Sequence, residues 1–271
     1  MFSRLFNKTR SPRGHPSTEG RLIYAVGDVH GHLDALDPLI KVIGKDALAS
    51  SPAERPLLIF VGDYVDRGPA SAGVVDLILS LKAQAAFEVH CLKGNHEEAL
   101  LQFLGEPGFG PTWAEYGGAA TLASYGVHPP TSRTDTEVWD ITAQAFAAVL
   151  PPAHLAFYQS LELMITVGDY GFVHAGIRPG IALDDQTERD LLWIRNPFLE
   201  WTGRHEKIIV HGHTPLEAPQ LLPNRIGIDT GVYATGILTA VRLDETGATI
   251  LQARAPKTTA MPIAVSSVQL E

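Results

Sequence analysis

Leu22-Ile23-Tyr24-Ala25-Val26-Gly27-Asp28-Val29-His30-Gly31 is five apolar residues closed by a glycine turn that carries an aspartate and a histidine. A short apolar run bounded by glycine reads as a buried strand. The same construction returns twice: residues 57–61 run into Gly62-Asp63-Tyr64-Val65-Asp66-Arg67-Gly68, and residues 87–92 into Lys93-Gly94-Asn95-His96-Glu97. Between these strands, Leu36, Leu39, Ile40 and Ile43 recur at three- and four-residue spacing, as do Val74, Val75, Ile78, Leu79 and Leu81, and residues 97–104 follow the same period. Each is the apolar face of a helix. The βαβαβα order predicts an α/β fold with parallel strands and helices packed on them. Open sheets of this kind bind ligands beyond the carboxyl ends of their strands, so the three loops should converge.

Working outward, Gly, Pro and Trp punctuate residues 105–160, which predict helical stretches at about 113–125, 137–149 and 153–160, a helical cap inserted in the domain. Beyond it the chain turns strand-rich, at 161–167, 170–174, 207–210, 225–229, 237–243 and 248–253. Two further loops have the texture of the first three, His174-Ala175-Gly176 and His211-Gly212-His213-Thr214. The expected organisation is a flexible basic tail over 1–20, a single domain over 21–255 and a C-terminal tail over 256–271.

Composition narrows the class. Of 271 residues, 45% are hydrophobic and 19% charged, which excludes a disordered chain, a collagen and a coiled coil. No apolar run approaches the ~20 residues of a membrane helix. The single cysteine, Cys91, excludes an internal disulfide framework and a cysteine-built zinc site, and it fits a reducing, cytoplasmic compartment. The first residues lack the apolar core of a secretory signal. The net charge is −9, and residues 1–21 hold five basic groups against one acid, so the remainder stands near −13. A body that acidic repels a nucleic-acid backbone, and no nucleic-acid partner is expected. Any phosphate must be attracted locally, by metal ions or a few placed arginines.

Asp28, His30, Asp63, Asn95, His174 and His213 supply oxygen and imidazole groups without thiolate, a set that suits Mn, Fe or Zn. Two ions sharing Asp63 as a bridge would use all six and leave positions for water. Such a pair polarises a phosphoryl oxygen and supplies a nucleophile. A lone Asp-x-His is ordinarily a turn with a satisfied histidine. Five such elements in order, each at a strand end, are not explained as turns.

The ordered set Gly-Asp-Val-His-Gly, Gly-Asp-Tyr-Val-Asp-Arg-Gly, Gly-Asn-His-Glu, His-Ala-Gly and Gly-His-Thr resembles the calcineurin-like metallophosphoesterases. Within them it is similar to the PPP-type serine/threonine protein phosphatases in their short bacterial form. The resemblance covers roughly residues 21–243. It implies a sandwich of two mixed β-sheets flanked by helices, and two divalent metal ions, Mn²⁺ foremost, with Fe or Zn as alternatives. Asp28 and His30 would bind the first ion, Asp63 would bridge, and Asn95, His174 and His213 would bind the second. His213 is chosen over His211 because the family's ligand follows the small residue, here Gly212. Asp66 would fix and protonate His96 as general acid. Arg67 and Arg195 would contact phosphate, and Tyr233 would take either a substrate-contacting or a packing role. Catalysis would be in-line attack on phosphorus by a hydroxide that the two metals activate.

On substrate the resemblance points first to phosphoserine or phosphothreonine in proteins. The alternative is a bis(5'-nucleosyl)-tetraphosphatase from a sister branch with nearly the same metal loops, and a remote one is an inactive binding module. Tyr64 and Asp66, with Glu97-Glu98 after His96, favour the protein phosphatase, although some asymmetrical tetraphosphatases keep the aspartate. No regulatory-subunit signature is evident.

Overall fold

A computed structural model describes residues 15–256 and the backbone of 265–269. Strands β1 (Ile23–Val26), β2 (Leu57–Phe60) and β3 (Glu88–Cys91) run parallel, with Ile23 opposite Leu57 and Leu57 opposite Glu88. Helices α1 (Leu33–Ser50) and α2 (Ser71–Ala83) make the two crossovers, and α3 (Asn95–Gly105) leaves the end of β3. The second sheet has the order β4-β5-β6-β8-β7, from Met164–Val167, Tyr170–Val173, Ile208–His211, Arg225–Gly227 and Gln220–Leu221 respectively. The chain then returns to the first sheet, where β9 (Ile237–Asp244) pairs antiparallel with β1 and forms a hairpin with β10 (Gly247–Arg254). Both sheets mix parallel and antiparallel pairs, as expected for a two-sheet sandwich.

Side-chain alternation explains the layering. Ile23, Ala25, Leu57 and Ile59 face the second sheet and pack with Phe172, Val210 and Ile228. Tyr24, Val26, Leu58 and Phe60 face the helices and join Leu36, Leu39, Val75 and Ile78. Strands covered on both faces need apolar residues at every position, which is why these runs are continuous.

Residues 107–159 form the helical segment: a 3₁₀ turn, α4 (Gly110–Trp113), a π turn, α5 (Ala119–Ser124), α6 (Thr136–Val149) and α7 (Pro152–Gln159). Its aromatic residues close over α3, with Phe103 stacked on Trp113 at 4.8 Å and edge-on to Trp139 at 6.0 Å. They share one apolar cluster with α1 and α2.

Both chain ends depart from expectation. Residues 15–20 of the expected tail are docked: the Ser17 N–H donates to Asp169 Oδ2 at 2.9 Å, and Glu245 Oε1 accepts from the N–H groups of Thr18 and Gly20. Thr18 is fully buried. These partners lie more than 150 residues away, so no local period announces them. The rest of the tail expectation, residues 1–14, lies outside the described residues. In the expected C-terminal tail, residues 265–269 form β11 (Val265–Gln269), an edge strand paired antiparallel with β10, again through non-local pairing.

Candidate active site

The five histidine- and aspartate-bearing loops meet at one rim of the sandwich. Asp63 lies at their centre. Its Oδ2 is 3.6 Å from His30 Nε2 and 3.9 Å from His96 Nε2, and its Oδ1 is 3.4 Å from His174 Nε2. Two ligand groups share it: His30, Asp63 and His96 on one side, Asp63, His174 and His213 on the other. Asn95 joins the second, its Oδ1 at 2.9 Å from His174 Nε2 and 2.8 Å from His213 Nδ1. Asp28 abuts that side, accepting the His213 N–H at its Oδ2, 2.9 Å away. All six expected ligands are buried.

The loops reach this arrangement under backbone strain. His30, Asp63, Asp66, Arg67 and His213 all have φ between +44° and +71°, against two other non-glycine residues with positive φ among those described. Side chains at such φ crowd the backbone, and they persist only where the surroundings over-determine them. Close approach also demands glycine at two positions. A Cβ on Gly94 would overlap Asp63 Oδ1, and one on Gly212 would overlap Asp28 Oδ1.

The donor set fits divalent cations. His30 and His174 donate from Nδ1 to the carbonyls of Val65 and Val61, at 3.0 and 2.9 Å, which turns both Nε2 lone pairs inward. The His174 lone pair then faces the Asn95 oxygen, two acceptors in contact. Asp28 Oδ1 and His213 Nε2 are buried without a partner. Burial holds His30 down at about 3 and His213 at about 2, so both rings are neutral. Burial, with the Asp229 and Asp63 charges beside it, raises Asp28, and burial raises Asp229 to about 6. Three carboxylates crowded out of water with neutral imidazoles between them lack positive charge, and cations supply it.

Next to the centre, Asp66 Oδ2 accepts from His96 Nδ1 at 2.7 Å and from Trp113 Nε1 at 3.0 Å, while Oδ1 accepts from Thr121 Oγ1 at 2.6 Å. Burial works against a proton on His96, yet the Asp63 and Asp66 carboxylates outweigh it and raise the imidazole. Its Nε2 accepts from Arg67 Nη2 at 3.1 Å, so a proton placed there requires Arg67 to turn to another acceptor. The Arg67 guanidinium lies over the Tyr233 ring at 4.3 Å, and that ring stands edge-on to His30 at 5.4 Å. Arg195 is exposed and donates to Thr214 Oγ1 at 3.3 Å, one residue from His213. His211 belongs to neither ligand group and packs edge-on against Phe198 at 4.9 Å.

Four contributors carry no role in the sequence reading. Glu97, fully buried, accepts from the N–H groups of Asp63, Tyr64, Val65 and Gly94 at 2.8–3.2 Å, and so sets the loop that presents Asp63. Trp113 and Thr121 reach Asp66 from the helical segment. Asp229 stands two residues past β8; its place just after a strand, shared with Asp28 and Asp63, was the available signal.

The calcineurin-like phosphoesterase family pattern matches residues 21–236, and the chain belongs to that family. It is therefore a metallophosphoesterase, a hydrolase of phosphoric esters, of a family that works with a binuclear divalent centre. Among its relatives, a protein named bis(5'-nucleosyl)-tetraphosphatase PrpE (asymmetrical) of Halalkalibacterium halodurans is 31% identical over 252 residues, covering 85% of this chain and 94% of its own. The protein of the same name from Anoxybacillus flavithermus is 28% identical over 239 residues, covering 81% and 89%. In fold, the chain is similar to a cold-active protein tyrosine phosphatase, with a TM-score of 0.58 at 18% identity over 87% of this chain and 76% of that one. No helix among the described residues is long and apolar enough to cross a membrane.

Proposed function

We propose that the chain is an asymmetrical bis(5'-nucleosyl)-tetraphosphatase, hydrolysing a dinucleoside tetraphosphate at one phosphoanhydride. The observation that carries this reading is the 31% identity to the Halalkalibacterium tetraphosphatase along 85% of this chain and 94% of that one. The first expectation, a protein phosphatase, rested on Tyr64, Asp66 and Glu97-Glu98 and stands second to it. Tyr64 is buried and donates to the Leu92 carbonyl at 2.7 Å, a packing role that selects no substrate. Asp66 holds His96, an arrangement compatible with an anhydride as well as with an ester.

In this reading Asp28, His30 and Asp63 would hold one cation, the neighbouring His96 Nε2 being engaged by Arg67, and Asp63, Asn95, His174 and His213 would hold the other, with manganese the expected metal. The bound pair supplies Lewis-acid polarisation of phosphorus and activation of the attacking water. The remaining work falls to the chain. Burial keeps His30 and His213 unprotonated and their lone pairs available. Arg67 and Arg195 bring fixed positive charge to the non-bridging oxygens, with a planar fork suited to phosphate. Tyr233 supports the face of Arg67. Once a phosphate takes the Arg67 N–H groups, His96 Nε2 is free to carry a proton to the departing oxygen, and Asp66 steadies the imidazolium.

The test is turnover of diadenosine tetraphosphate beside a phosphoserine peptide, both with Mn²⁺. ATP and AMP in equal amounts, at the higher kcat/KM of the two substrates, is the expected result. Faster turnover of the peptide would restore the protein-phosphatase reading.

A further inference from the structure

Beside the centre, the α3 N-terminus and a short helix, α8 (Glu188–Trp193), border an open cleft of about 490 Å³ lined by Glu98, Glu188, Arg189 and Trp193. Ligand sites typically measure ~300–1,000 Å³. Leu191 and Leu192 anchor α8 in the interior, which turns Trp193 outward at 37% exposure. An outward indole ordinarily rotates freely. Here its Nε1–H donates to Glu98 Oε2 at 2.6 Å, and its ring stands edge-on to His213 at 6.2 Å. The indole is thus a fixed, partly bare aromatic plate set against His213 of the metal loops.

The lining chemistry selects the occupant. Glu98 and Glu188 repel phosphate, and Glu188 is partnered by Lys93 at 2.7 Å, so the wall is polar without excess positive charge. Carboxylates accept from exocyclic amines and ribose hydroxyls, and the indole offers a stacking face. Arg189 is the one cation among the lining residues. Tyr233, 40% exposed, has the Arg67 guanidinium over its ring, whereas no guanidinium lies over Trp193 among the described residues. We propose that this cleft is a nucleoside subsite, in which Trp193 stacks an amino-bearing base of the substrate while its phosphates reach the centre beyond His213. The proposal rests on the tetraphosphatase reading for its substrate.

The test uses the purified full chain with Mn²⁺. KM is measured for diadenosine tetraphosphate and for β-glycerophosphate, which has no ring, in wild type, Trp193→Ala and Trp193→Phe. Loss of one stacked base costs roughly tenfold in affinity. The ratio of the two KM values is expected to rise about tenfold in Trp193→Ala, and Trp193→Phe, which keeps an aromatic face, should return most of it. An unchanged ratio in Trp193→Ala overturns the subsite. Saturation-transfer NMR with adenosine alone reads the cleft without turnover. Transfer to the adenine protons should be present in wild type and weaker in Trp193→Ala; equal transfer in both overturns the subsite as well. A wild type that binds adenosine through Trp193 yet leaves diadenosine tetraphosphate intact overturns the tetraphosphatase reading and retains the base site.

Discussion

Asp66 Oδ2 lies 2.7 Å from His96 Nδ1, and the same carboxylate is fastened to the helical segment by Trp113 and Thr121. The imidazole that stands 3.9 Å from Asp63 Oδ2 is therefore held from a segment more than 15 residues further along the chain. Its tautomer follows: Nδ1 donates to Asp66, and Nε2 accepts from Arg67 Nη2 at 3.1 Å.

This geometry predicts a dependence on the leaving group. An alkoxide needs a proton as the P–O bond breaks, whereas a nucleotide phosphate departs as a stable anion. General-acid help is worth ~10²–10⁴-fold where it is needed. His96→Asn should keep its metal content, lose kcat on β-glycerophosphate in that range, and lose far less on diadenosine tetraphosphate. Equal losses on both substrates would show that His96 positions groups without donating a proton.

Glu97 predicts a stability effect. Its carboxylate takes four backbone N–H groups, and Glu97→Gln turns one acceptor oxygen into an amide donor. Two N–H groups are then left buried without a partner, at roughly 1–3 kcal/mol each. Urea unfolding of metal-free protein should show a loss of about 2–6 kcal/mol, together with weaker metal retention because the Asp63 loop is released. A variant as stable as wild type would mean that the loop is set by other contacts.

How much of this was legible in the sequence differs by element. The strands β1 and β2 were readable because burial on both faces leaves an unbroken apolar run, and the motif loops because they stand at the strand ends. Their joint meaning came from order and from resemblance to a family. Glu97 was visible as a residue but its grip on residues 63–65 was not, since those N–H groups are brought to it by folding. Trp113 and Thr121 lie in a helical segment with no spacing relation to Asp66. The two-residue strand β7 is too short for any period to show. The choice between protein and dinucleotide substrates turned on side chains such as Tyr64 that the fold uses for packing, so these residues carry no information about the substrate.

Asp63 predicts the pattern of metal loss. It is the one side chain common to both ligand groups. Chelation should abolish activity, and added Mn²⁺ should restore it. Asp63→Asn should lower bound metal, measured by elemental analysis of purified protein, more than His30→Asn or His174→Asn does. Each of those removes a ligand from one group only. Metal content in Asp63→Asn equal to wild type would refute the bridge.

His211 predicts a pH dependence. Burial, aided by the charge of Arg225, pushes this imidazole from 6.5 down to about 4, against a backbone contact with the Gly212 carbonyl that favours the proton. The unfolded chain takes up a proton below pH 6.5 that the folded chain refuses until about pH 4. The neutral ring's contribution is therefore intact above pH 6.5 and is lost as pH falls through that window. One such histidine gives a slope approaching 1.4 kcal/mol per pH unit, or roughly 2 kcal/mol between pH 7.5 and 5. His30 and His213, also held low by burial, add to the same trend in metal-free protein. His211→Phe keeps a ring against Phe198 and removes one proton from the difference. Whatever its stability at pH 7.5, it should gain roughly 2 kcal/mol on wild type by pH 5, read as a change in the gap between their urea midpoints at constant m-value. A gap that stays constant across that range would mean that His211 is protonated in the folded protein, and that the pocket against Phe198 is open to water.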